Sequence, residues 1–513
     1  MDRIQQTGAR DRAPFPRRAA TVLALAISAM LSGCLFDDGG GDSGSSGSST
    51  TASTSGNSSG NPNNTATPPQ MTIPGGPVQQ VPAGPTTEGD ARRFMQQATF
   101  GATDAGVQEV MQKGPRLVME EEFGKPGMGY QPMTAVLPNV CNNNPPPNCQ
   151  RDNLTAFPLQ RQFFQNAVSG GDQLRQRMAW ALSQIVVVSM GDVPTAHAMR
   201  NFQQMLMLNA FGNYKDILTA ATLSPTMGTY LDMANNAKAD PARGLEPNEN
   251  YARELLQLFS IGEYMLNDDG TRKLDPTGKP IPAYDQETIE NFAKVFTGWT
   301  YPQRPGQSAT FPRQPYYEGN MVAIPAQHDT TSKTLLLGTV LPANQTAEKD
   351  VEDAVNNVFN HPNVGPYIGK QLIQMLVTSN PTPAYVGRVT AAFNNNGQGV
   401  RGDLKAVLRA ILLDPEARGD VKADANYGKL AEPVLMLTNL MRGLGGATDG
   451  VFPITGATNM AQPPFDSPTV FNYYPPDYPA PGTDILGPQF KIVQTSTTLA
   501  RANFLHDFLN TRN

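Results

Sequence analysis

The densest run of ionisable and hydrogen-bonding side chains lies at residues 249–260. There Glu249, Asn250, Arg253, Glu254 and Gln257 alternate with Tyr251, Leu255, Leu258 and Phe259. At about 100° per residue, Asn250, Arg253, Glu254 and Gln257 share one arc of a helix, and Tyr251, Leu255 and Phe259 lie opposite. Glu249 and Arg253, like Asn250 and Glu254, stand four residues apart, the spacing of paired side chains on a helix surface. The row reads either as a solvated polar face or as a site. As a site, it would hold Glu254 at a raised pKa as a catalytic carboxyl, with Asn250 and Arg253 binding the ligand.

A second set is His328-Asp329, followed by Lys333, delivered by a long loop. A histidine beside an aspartate can act as a general base or a metal ligand. The plainer alternative is an ordinary loop in which Asp329 caps a turn. The sequence therefore raises an envelope hydrolase in which Glu254, His328 and Asp329 converge as catalytic groups and Asn250, Arg253 and Lys333 bind. The alternative is a non-catalytic binding or assembly protein in which the same residues knit helices and loops together. No further ligands stand at metal-like spacing, so metal and cofactor both stay unknown, and G-x-S-x-G, Walker and C-x-x-C-H motifs are absent. His361, before a proline at a helix end, reads as a cap. His197 and His506 have no supporting context. Phe465, Phe471, Tyr473, Tyr474 and Tyr478, set among prolines, read as a cover over helices or as stacking faces for sugar rings.

Helical periodicity runs through most of residues 87–513. Leu174, Met178, Leu182 and Ile185 make one stripe, and Ile289, Phe292, Ala293, Phe296 and Trp299 another. Val351, Val355, Val358 and Phe359 end at His361-Pro362, and Leu404, Val407, Leu408 and Ile411 end at Asp414-Pro415. Proline- and glycine-rich loops at 264–285, 300–334 and 444–488 separate them, and only Thr334 to Val340 reads as a strand. The expected fold is mostly α, a multi-helix globular domain with long Pro/Gly-rich loops and at most minor β.

The N-terminus reads as an export signal. Arg3, Arg10, Arg12, Arg17 and Arg18 precede an apolar run, Ala19 to Met30, too short to stay as a membrane span. Leu31-Ser32-Gly33-Cys34 resembles the lipobox of bacterial lipoproteins, which makes Cys34 the lipidation site and 1–34 a lipoprotein signal peptide. Residues 35–86, rich in Gly, Ser, Thr, Asn and Pro, read as a disordered tether, leaving 87–513 as the helical domain. The expected location is the cell envelope, anchored to the membrane by lipid. Leu35, in place of aspartate, points to the outer membrane. Cys141 and Cys149 bracket the polar loop CNNNPPPNC and are expected to form a disulfide in an oxidising compartment. Without residues 1–33 the net charge moves from −6 to about −9, and no Lys/Arg-rich stretch follows. A nucleic-acid partner is therefore not expected.

NENYARELLQLFSIG at 248–262 and DQETIENFAKVFTGW at 285–299 closely resemble the two strongest signatures of the exported bacterial family called domain of unknown function 1800 (DUF1800). RRFMQQATFGAT at 92–103, DQLRQRMAWALSQIVVVS at 172–189, FGNYKDILTAATLSPTMGTYLD at 211–232, HDTTSKTLLLG at 328–338 and PPFDSPTVFNYYPPDYP at 463–479 follow the family in order. The segment Trp180 to Val188 lacks the histidines that many members carry there. The resemblance implies export and an exported sulfatase-like (DUF1501-type) partner, and it brings no activity with it.

Cys34→Ala should abolish incorporation of radiolabelled palmitate, because the thioether forms on that sulfur; a labelled variant would refute the assignment.

Overall fold

The computed structural model describes residues 86–133, 141–193, 195–308, 310–419 and 426–510. The chain divides into Met1–Gln70 and Met71–Asn513. The export signal, Cys34 and nearly all of the expected tether lie outside the described residues.

The architecture is mostly α. The helices are α1 (Glu88–Ala98), α2 (Asp104–Lys113), α3 (Pro115–Gly124), α4 (Cys149–Leu154), α5 (Phe157–Ser169), α6 (Gln173–Ser183), α7 (Ala196–Asn209), α8 (Tyr214–Leu223), α9 (Pro225–Tyr230) and α10 (Asn250–Gln257). They continue as α11 (Gln286–Val295), α12 (Ala347–Asn360), α13 (Val364–Leu376), α14 (Pro383–Asn394), α15 (Leu404–Leu412), α16 (Pro415–Arg418), α17 (Pro433–Gly443), α18 (Val451–Asn459) and α19 (Thr495–Asn510). Short 3-10 turns stand at Pro325–Gln327, Leu336–Gly338 and Pro488–Ile492, and there are two antiparallel strand pairs among the described residues: β1 (Trp299–Thr300) with β2 (Val322–Ala323), and β3 (Lys333–Thr334) with β4 (Val340–Leu341).

Helix starts follow local chemistry. Asp285, Thr346, Asp403 and Asp414 accept backbone N–H groups at the starts of α11, α12, α15 and α16, which satisfies donors that a helix cannot pair internally. The apolar stripes face one core. Tyr251, Leu255 and Phe259 are buried against Phe292 and Phe296 of the next signature, with the Tyr251 and Phe296 rings edge to face at 4.9 Å. α10 packs on α11, α11 on α12, and α12 on α8. Around α6, whose residues are nearly all buried, gather α1, α3, α5, α7 and α13.

Two expectations need correction. Thr334 to Val340 is not one strand: its ends belong to β3 and β4, and the chain turns between them with Leu337 at φ +57°. Trp299 is not on a helix. α11 stops at Val295 and Gly298 turns the chain at φ +82° into β1. A Cβ at Gly298 would come within 2.9 Å of the His328 backbone nitrogen, so a side chain there would push the His328 loop away.

Cys141 and Cys149 form a disulfide, with their Cα atoms 5.7 Å apart. The closed loop is short, so reduction should cost about 2.5 kcal/mol at most by the chain-entropy relation. Urea denaturation with and without reductant would measure it, and a loss of twice that size would show a role beyond closing the loop.

Candidate functional site

α10 carries the first candidate set, with its apolar side in the core and its polar side partly open. Arg253 donates to Glu249 at 2.7 Å, as the i,i+4 spacing predicts. Asn250 does not pair with Glu254. It donates instead to Asp232 at 2.8 Å, at the end of the preceding signature segment. Gln257 donates to Glu263 at 2.9 Å. Glu254 is half-buried, and its enclosed Oε2 has no hydrogen-bond partner. Burial raises its carboxyl above the ordinary glutamate range, and Arg253, already engaged by Glu249, offsets only part of this. The charge of Glu254 reaches the phenols of Tyr230, Tyr284 and Tyr367, whose own ionisation burial suppresses.

The second set folds into a closed clip. His328 is 2% exposed, and both ring nitrogens face protein groups: Nδ1 lies 2.9 Å from the Thr297 carbonyl, and Nε2 lies 3.0 Å from Asp350 on α12. Asp350, fully buried, also takes the Lys333 ammonium at 2.8 Å. Lys333 donates further to the carbonyls of Asp329 and Thr331 at 2.7 and 2.9 Å. Asp329 accepts the Thr331 N–H at 2.8 Å and caps that turn. Burial pushes the Asp329 carboxyl up, but the Thr331 bonds and the Lys333 and Lys294 charges outweigh it, leaving the group below the usual carboxylate range. The expected convergence with Glu254 therefore does not occur. No hydrogen bond or ion pair joins His328, Asp329 or Lys333 to Glu254, Arg253 or Asn250, because Asp350 and the Thr297 backbone already occupy the histidine. Among the described residues no group of three His, Cys, Asp or Glu side chains is placed to hold a metal ion.

The family model described as "Protein of unknown function (DUF1800)" matches residues 93–505, most of the chain. The chain belongs to the DUF1800 family. No curated protein and no solved structure matches it.

The DUF1800 segments thus fall into distinct structural roles. NENYARELLQLFSIG makes α10, DQETIENFAKVFTGW makes α11 and the Gly298 turn, and HDTTSKTLLLG makes the clip. Three of the five aromatic residues of the segment 463–479 pack down as a cover over the helices. Phe465, Tyr473 and Tyr474 are buried, and Phe465 packs on Phe163 and Trp180, leaving Phe471 exposed. His361 ends α12 as expected, its Nδ1 accepting the Asn363 N–H at 3.2 Å. Burial, helped by the charges of Lys273 and Arg401, lowers this ring to about 4.

The cover also completes a buried polar network that sequence reasoning missed. Glu432, just before α17, accepts the Trp180 indole N–H at 2.8 Å and the Gln462 amide at 3.1 Å. The Tyr474 hydroxyl lies between Glu432 and Gln184. Arg177 on α6, fully buried, and Lys429 donate to one shared acceptor, the Met375 carbonyl. Desolvation and the Arg177 charge push Lys429 down to about 7, with Glu432 pulling the other way. Arg177 gave no separate sequence signal, since α6 also carries Gln173, Arg175 and Gln176. Lys429 and Glu432 sit in no motif.

Lys333→Met should destabilise the fold by about 3–5 kcal/mol, since it removes a cation from a buried pair and leaves Asp350 undercompensated. Urea denaturation would report the loss. A change below about 1 kcal/mol would mean that the pair is weak, as exposed pairs are.

Proposed function

We propose that this DUF1800 member is an exported, lipid-anchored envelope protein that hydrolyses an envelope or extracellular substrate, with Glu254 as the proton-transferring carboxyl. The observation that carries this reading is the state of that carboxyl: half-buried, raised in pKa, and with one oxygen enclosed and unpartnered. A carboxyl held this way keeps its proton to higher pH than an ordinary glutamate, the direction that suits a group used in general acid–base catalysis. Asn250 is fixed by Asp232 on the same polar side and supplies an amide for orienting a ligand. Arg253, held by Glu249, contributes positive charge next to the carboxyl. His328, Asp329 and Lys333 act in this reading by holding the clip that follows β2, not by touching substrate. The anchor is Cys34, on an outer-membrane face.

The clip itself favours a second reading. A recognised family segment whose ionisable groups all turn inward serves architecture, and a protein built so throughout would bind or assemble without catalysis. The DUF1501-type exported protein would then be its partner, met on the membrane through the lipid anchor.

Glu254→Gln separates the two. Glutamine keeps the shape and removes the charge, so the enzymatic reading expects loss of hydrolysis in a screen of esters, glycosides and peptides, run with and without chelator. The assembly reading expects an unchanged variant. Stability should move the other way. A carboxyl whose folded pKa is raised stabilises the fold below its unfolded pKa, and that contribution is lost as pH rises through the folded value. Glu254→Gln should therefore melt at or above the wild-type temperature at pH 8, and the difference should close in acid. A variant that melts lower at pH 8 would mean that the charged form is stabilised in the fold.

A further inference from the structure

We propose that one water molecule is a fixed part of this fold, held in an interior slot that joins α7 to the cover. The slot has a volume of about 10 Å³, close to the smallest space, about 10–15 Å³, that holds a single water. It lies where three parts of the chain meet: Ser183 and Gln184 at the end of α6, Gln203 on α7, and Phe465, Ser467 and Asn472 of the cover. Every residue on its walls is at least nine-tenths buried, so the slot is interior. No charged side chain lines it, and its size shuts out an organic ligand.

The polar groups on the walls call for such a molecule. Gln203 is 4% exposed, yet its side-chain amide makes no hydrogen bond among the described residues and is not closed off from the slot that it lines. A buried amide without a partner is the exception in folded proteins. Asn472 is as deeply buried; its Nδ2 donates to Gln184 Oε1 at 3.1 Å, and its Oδ1 accepts nothing from the described residues. The Ser183 hydroxyl donates to the Trp180 carbonyl at 2.8 Å, which leaves its own lone pairs for a donor in the slot. Gln184 offers no further group, since its Oε1 also accepts the Tyr474 hydroxyl at 3.0 Å and its Nε2 is enclosed. A water donates twice and accepts twice. It therefore pairs with the Gln203 amide whichever way that amide is turned, and with Asn472 Oδ1 or the Ser183 hydroxyl besides. The bridge extends a polar chain that already runs from Asn472 through Gln184 and Tyr474 to Glu432. The cover is thus fastened to α7 through solvent, and to α5 and α6 through the rings of Phe465, Phe163 and Trp180.

The test is a high-resolution crystal structure of the full chain, joined to oxygen-17 relaxation dispersion of the solvent, which counts long-lived internal waters. The crystal should show one density peak in the slot at about 2.7–3.2 Å from the Gln203 amide and from Asn472 Oδ1 or the Ser183 hydroxyl. Gln203→Met keeps the length of the side chain and removes the amide. It should lose the peak, and its oxygen-17 dispersion should fall by about one water per chain. The wild-type density decides the matter even where the variant fails to fold. A slot without a peak, or a Gln203 amide bonded to another protein group, would overturn the proposal. So would a peak ringed by six or more oxygens at about 2.3–2.6 Å, which is a metal ion. An unchanged dispersion in a folded Gln203→Met chain would overturn it as well.

Discussion

A charge removed from water must find partners inside the protein, and this requirement governs how the DUF1800 fold is fastened. Asp350 is fully buried on α12, and an isolated carboxylate there would be strongly destabilising. It is tolerated because His328 and Lys333 approach it from a loop with almost no regular structure of its own. The dependence is mutual: the carboxylate needs the loop's donors, and the loop is tied to α12 through the carboxylate. The same device recurs wherever a long segment crosses the helices. Asn363 bonds the carbonyls of Ile261 and Tyr264 and the N–H of Leu266. Arg401 donates to the carbonyls of Phe359 and His361, and Arg442 to those of Gly101 and Val168. Buried polar side chains thus do for the loops what hydrogen-bonded ladders do for sheets.

This explains which parts of the molecule were legible in the sequence. Helices that bury one side announce themselves by period, so the stripe of Tyr251, Leu255 and Phe259 and that of Val351 to Phe359 lie where they were expected. Short-range pairs were legible too: the Glu249–Arg253 bond and the Cys141–Cys149 disulfide join neighbours in the chain. Long-range partners were not. Asp350 stands 22 residues from His328, on a helix where its neighbours Glu348, Lys349 and Glu352 are exposed, and nothing in its spacing marks it. Glu432 and Trp180 stand 252 residues apart. The Gly298 turn ended a helix that the apolar stripe alone would have carried on to Trp299, because periodicity does not register a left-handed residue.

The functional consequence is a sorting of the two candidate sets. His328, Asp329 and Lys333 have the composition of a catalytic group, and the fold engages each of them in hydrogen bonds of its own. Glu254 has the composition of a surface glutamate, and it is left with an enclosed oxygen and no partner. A polar group that the protein itself does not satisfy is the better candidate for meeting a ligand, and one that it satisfies in full is the better candidate for holding the structure together.

The claim rests on the protonation of Glu254. Carboxyl carbon-13 NMR of protein labelled at glutamate, with the resonance assigned by its disappearance in Glu254→Gln, would follow that group directly through a pH titration. The account predicts a midpoint clearly above that of exposed glutamates in general. A midpoint at or below theirs would contradict it, since Glu254 would then be an ordinary solvated or ion-paired carboxylate.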